Sequence, residues 1–155
     1  MARAKNSDLI RRWFEEVWNQ GREETINELC AQEAVGHGQT LDGSSISGPE
    51  HFKQFWRNFR SAFTAVHVEI HRTIEEGDTV VAHWTLKAQH SGPFLGMKPT
   101  GKEIAAKGMS IQRFAEGKII EAWDNWDQLG VLTQLGAVSL DKISAGPAVP
   151  AACVA

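Results

Sequence analysis

Gly117–Gly136, GKIIEAWDNWDQLGVLTQLG, passes from a turn through an extended segment carrying an acid into a short helix. Side chains alternate across a strand, so simple parity puts Ile120, Ala122, Asp124 and Trp126 on one face and Ile119, Glu121, Trp123 and Asn125 on the other. Asp124 is thereby an acid among apolar neighbours. Lost hydration raises the pKa of such a carboxyl and makes it a better proton acceptor than a solvated aspartate. The same pattern fits a structural aspartate buried with an ion-pair partner, so parity alone leaves both roles open. Asp127 begins DQLGVLTQLG, just before a short apolar helix, the position of a helix N-cap.

Upstream of this stretch the periodicity divides the chain in two. Leu9, Ile10, Trp13, Phe14, Val17 and Trp18 recur at helical spacing behind Ser7 or Asp8 as N-cap. A shorter helix is expected from about 23 to 30, followed by a Gly/Ser-rich loop over 36–48 with His37 at its start. Pro49 opens a third helix whose Phe52, Phe55, Trp56, Phe59 and Phe63 form an aromatic face. The period then changes to two. Val66, Val68 and Ile70 alternate with His67, Glu69 and His71, a turn falls at Glu76–Asp78, and further strands cover 79–90 and about 104–114. Helices first and strands afterwards predict an α+β fold: three N-terminal helices packed on one face of a curved, mainly antiparallel sheet. Residues 1–136 read as a single domain. Residues 137–155, rich in Ala and Pro, read as a mobile tail.

Composition narrows the functions. The 155 residues are 42% hydrophobic and 23% charged, as in globular domains, and no apolar run is long enough to span a bilayer. A net charge of −3 with dispersed basic residues offers no footprint for nucleic acid. The N-terminus has no apolar signal segment, which places the expected location in the cytoplasm. Two cysteines make neither a disulfide framework nor a zinc site, and the absence of Tyr removes any mechanism that needs a protein phenol. Gly96–Glu103, GMKPTGKE, approaches a phosphate-binding loop but has Glu103 in place of the hydroxyl and leads into a strand. His67, Glu69, His71 and His83 have a spacing that could ligate metal, yet alternation with Val and Ile marks the outer face of a strand, and no metal or cofactor is expected. Without a nucleophile elbow, general acid–base chemistry remains, with Asp124, Ser110, Gln112, His37 and His90 as candidate groups and Trp84, Leu86, Phe94 and Trp126 as candidate walls of an apolar substrate cavity.

GPFLGMKPTGK (92–102), RFAEGKIIEAWDNWDQLGVLTQLG (113–136) and VWNQG (17–21) resemble the SnoaL-like polyketide cyclase (ester cyclase) family. The resemblance covers about 8–136. It implies the nuclear transport factor 2-like fold, a cone of curved sheet closed by helices, and assembly as homodimers or higher oligomers. It implies an aspartate on the last strand, here Asp124, as acid and base for an intramolecular aldol ring closure without metal or cofactor. A family histidine on the preceding strand is replaced here by Ser110, and His90 corresponds to another. Isomerase, lyase or hydrolase chemistry on a lipophilic molecule, or ligand binding without catalysis, are the alternatives on the same fold.

Overall fold

The computed structural model describes residues 5–142. Helix α1, Asn6–Arg12, continues without a break into a π-helical segment, Trp13–Asn19, and α2 spans Glu24–Leu29. Strand β1 (Cys30–His37) and the short β2 (Ile46–Ser47) precede helix α3 (Gly48–Ala62). Four long strands follow: β3 (Phe63–Glu76), β4 (Thr79–His90), β5 (Glu103–Ala115) and β6 (Lys118–Trp126), and helix α4 (Gln128–Gln134) comes after them. They form a six-stranded sheet in the order β2-β1-β6-β5-β4-β3. Every pairing is antiparallel except β1 with β6. No helix of the described residues is long and apolar enough to cross a membrane.

The first helix is amphipathic as its spacing predicts, with Ile10, Trp13, Phe14 and Val17 buried. Neither Ser7 nor Asp8 is the cap. The helix begins at Asn6, and the free N–H groups of Asn6 and Ser7 donate instead to the Glu75 carboxylate, at 3.3 and 3.0 Å, from the far end of β3. At the other end Asn19 imitates a strand. β3 is a sheet edge, and Asn19 accepts from Val68 N (2.6 Å) and donates to Val68 O (3.0 Å), satisfying backbone groups that lack a neighbouring strand.

Three sequence expectations are corrected. Cys30–His37 is a strand, not the end of a helix and the start of a loop. Its burial follows no period of two because the pairing with β6 slips between Cys30 and Val35. Helix α3 begins at Gly48 with Pro49 in its first turn but ends at Ala62, and Phe63 opens β3. The parity within β6 is also broken. Arg113 pairs with Glu121, whereas Phe114 pairs with Ile119, so Ile120 is the extra residue of a β-bulge. Ile119 therefore joins the buried face with Ala122, and Ile120 leaves it.

The core lies between the inner sheet face and the helices. Trp56 from α3 is buried there and donates its indole N–H to Val17 O at 3.1 Å, which fixes α3 against the first helix. Burial of such rings contributes most of the packing energy, about 25 cal/mol for each Å² removed from water. Residues 143–155, most of the segment expected to be a tail, lie outside the described residues. Within the remainder, Leu140–Lys142 forms one 3-10 turn.

Candidate active site

Three inward-facing rungs cross β4, β5 and β6, and they build the site. Trp84, Gly108 and Trp126 make the first, Ala82, Ser110 and Asp124 the second, and Val80, Gln112 and Ala122 the third. Gly108 is required by the packing: a Cβ there would stand 2.4 Å from Cζ2 of Trp84, so only glycine lets the indole lie across β5. From that position Trp84 Nε1 donates to Ser110 Oγ at 2.9 Å.

The hydrogen-bond directions are then determined. Indole N–H can only donate, so Ser110 accepts from Trp84 and must place its single proton on Asp124 Oδ1, with which it makes a very short hydrogen bond. The other oxygen, Oδ2, accepts from Gln39 Nε2 at 2.5 Å. Gln39 comes from the segment after β1, and its reach depends on a second close approach. A Cβ on Gly36 would lie 2.8 Å from Gln39 Nε2 and 2.9 Å from Oε1.

Protein encloses the Asp124 carboxyl, although the residue as a whole stays half-buried because it borders a cavity. Loss of hydration pushes its pKa up to about 6, against the opposing pull of the Ser110 and Gln39 hydrogen bonds, which favour the ionised form. The cavity, about 100 Å³, is walled by Trp13, Phe14 and Trp18 of the π-helical segment and Phe52, Phe55 and Phe59, of which Phe52, Phe55 and Phe59 belong to α3. On its other side Asp124 borders an open recess of about 440 Å³ between the 38–43 loop and the start of α4. An acid of raised pKa between an apolar cavity and a mouth can exchange a proton with a bound carbon acid.

Of the residues expected at the site, Trp84, Leu86, Gln112, Asp124 and Trp126 line the cavity, and Ser110 stands directly behind Asp124. Three do not join them. His37 lies on the outer sheet face, stacked on Trp123 at 5.5 Å, with Nε2 3.2 Å from Glu121 and Nδ1 3.2 Å from Ser45. The parallel β1–β6 pairing sets His37 opposite Trp123, whose side chain points away from the Asp124 face. His90 is fully buried between Phe63 and Phe94 and accepts from Thr100 N at Nδ1 (3.2 Å), holding the 91–102 connection. Phe94 packs on Phe63 at 5.0 Å in a tight turn closed by reciprocal Phe94–Met97 backbone bonds, away from the cavity.

Asp127 caps α4, accepting from Gly130 N at 2.8 Å. On the outer face His71 and His83 approach to 5.3 Å between ring centroids, but no group of three or more metal-ligating side chains forms among the described residues. Sequence reasoning missed Gln39 and the rings of the first helix as cavity walls. The rings carried a signal in their helical spacing; Gln39, in a polar loop, carried none.

A curved six-stranded sheet, closed by helices over an internal cavity with an acid on its last strand, defines the nuclear transport factor 2-like class of α+β protein. Within that class the chain belongs to the SnoaL-like polyketide cyclase family, which it matches over residues 8–135. It is 30% identical over 122 residues to the aklanonic acid methyl ester cyclase AcmA of Streptomyces galilaeus, covering 78% of this chain and 84% of AcmA. Among solved structures it is similar to IdmH of Streptomyces antibioticus, with a TM-score of 0.73, 27% identity and coverage of 86% of this chain and 99% of IdmH. A SnoaL-like protein from Jannaschia sp. CCS1 superposes with a TM-score of 0.77 at 24% identity, covering 90% and 99% of the two chains.

Proposed function

We propose that the protein is a cofactor-independent cyclase in which Asp124 is the general base and acid for an intramolecular aldol-type ring closure. One observation carries the reading: among the described residues, the only carboxyl lining the aromatic cavity is enclosed, raised to about 6 and hydrogen-bonded through both oxygens. At neutral pH such a group is ionised yet poorly solvated, and close enough in pKa to accept a proton efficiently. An Oδ atom of Asp124 takes a proton from the carbon α to a substrate carbonyl, and the C–H electron pair passes into an enolate. The enolate carbon attacks a second carbonyl of the same molecule, forming the ring C–C bond and an alkoxide. The alkoxide recovers the proton from Asp124, which leaves the carboxylate as it began. Ser110 takes no proton itself; its hydroxyl is committed to Oδ1 and orients the carboxylate. The apolar rings would hold the substrate body and exclude water.

The aklanonic acid methyl ester cyclase among its relatives supports an apolar carbonyl compound as substrate. Replacement of Asp124 by Asn removes the base and should lower turnover on the order of a hundredfold or more, without a matching loss of binding. Undiminished turnover by Asp124→Asn on a substrate that the parent protein converts would refute the role. Assembly as a homodimer or larger oligomer is part of the same reading, supported by the family resemblance, and light scattering on the purified chain tests it.

A further inference from the structure

Gln39 has a buried amide whose two ends are treated differently. Its Nε2 donates to Asp124 Oδ2, while its Oε1 is buried with no hydrogen-bond partner. The orientation is imposed by charge, since turning the amide over would set a carbonyl oxygen against a carboxylate. A buried, unpartnered acceptor costs about 1–3 kcal/mol, so the ionised acid holds Gln39 in an arrangement that its own carbonyl opposes. The residue is 8% exposed and borders the cavity. The missing side chain of Gly36 leaves the space in which the amide sits.

The two oxygens of Asp124 are not equivalent towards a proton. Oδ1 is occupied by the Ser110 hydroxyl, whose direction Trp84 enforces. An arriving proton therefore lodges on Oδ2, beside Gln39. Once it does, the charge that oriented the amide is gone, and a new O–H donor faces a group whose acceptor is unpartnered.

We propose that Gln39 is a protonation-following amide: it donates Nε2–H to ionised Asp124, and turns over when the acid is protonated so that Oε1 accepts the new O–H. This rests on the general-base reading of Asp124. In the step concerned, the substrate C–H bond breaks, the O–H bond forms on Oδ2, and the electron pair delocalises onto the substrate carbonyl oxygen. When the proton returns to the alkoxide, the amide turns back and restores the starting state. Gln39 thereby pairs with Asp124 in both protonation states, so that neither the base nor the acid faces an unmatched buried partner.

The test uses the ligand-free protein, selectively labelled with 15N-glutamine and 13C-aspartate, followed by NMR from pH 4.5 to 8. The Asp124 carboxyl carbon gives the midpoint. Above it, the Gln39 side-chain amide protons should show cross-relaxation with Asp124 Hβ; below it, those contacts should fade as Oε1 takes their place. Amide contacts that stay on Asp124 at both ends of the range, or contacts that change at a pH away from the Asp124 midpoint, would overturn the proposal. Either result leaves the base assignment intact, because that assignment falls only to retained turnover in Asp124→Asn.

Discussion

Asp124→Asn should make the protein more stable at neutral pH even as it removes the proposed base. The folded-state pKa of Asp124, about 6, lies above the unfolded value near 3.8. Between these values the folded chain binds more proton than the unfolded chain, so this group's favourable contribution is complete below pH 3.8 and is lost as pH rises through 6. A difference of about two pKa units, at about 1.4 kcal/mol each, makes the ionised carboxyl a burden of at most about 3 kcal/mol at pH 7.5. Contact with the open recess reduces this to roughly 2 kcal/mol. Asn carries no such charge. Its Oδ1 can still accept from Ser110, and its amide can donate to the unpartnered Oε1 of a turned Gln39. Measured relative to the parent at each pH, Asp124→Asn should therefore gain about 2 kcal/mol between pH 4 and pH 7.5, seen as a relative rise in Tm of roughly 5 °C. The assay is thermal and urea unfolding of both proteins across that range. A stability difference that does not change with pH would show that Asp124 does not bear a desolvated charge, and the argument for its basicity would fail with it.

Ser110→Ala removes a donor to the carboxylate and should raise the Asp124 midpoint by one unit or more, moving the acidic limb of any pH–rate profile upward by the same amount. Gly108→Ala puts a methyl group 2.4 Å from the Trp84 ring; displacement of that ring should cost about 1–3 kcal/mol in urea unfolding and weaken the Trp84–Ser110 bond, visible as a changed indole N–H shift. Asn19→Leu strands the Val68 N–H and C=O of the edge strand and should destabilise by about 1–3 kcal/mol, with faster amide exchange at Val68 than at inner-strand positions.

The sequence made the layer order legible because its periods are strong: aromatic residues at helical spacing and then long runs of alternation, both imposed by one large buried face. It did not reveal β1, since a parallel strand beside β6 that slips its register after Cys30 buries only Cys30 and Ala34 and leaves no alternating pattern. Asp124 was legible from parity, and Trp84, Leu86, Gln112 and Trp126 were legible as inward neighbours on the same strands. His37 and His90 were chosen for their chemistry, but position along the sheet decides what an imidazole can reach. One is on the outer face and the other at the sheet's end.

The β6 bulge shows how a correct assignment survived a mistaken parity. Counting back from Asp124 by twos reaches Ile120, yet the structure buries Ile119 and turns Ile120 away. The extra residue falls before Glu121, so every position from Glu121 to Trp126 keeps the alternation that the sequence implies. Had the bulge fallen five residues later, Asp124 would have stood opposite the outward-facing Met109, and Ser110 would have met Trp123 in place of a carboxylate. The turn at Glu116–Gly117, with both residues at positive φ, and the bulge just after it together set the register in which Ser110 and Asp124 stand opposite each other. The chemistry of the site therefore depends on a backbone irregularity four residues from the acid, where no side chain takes part in it.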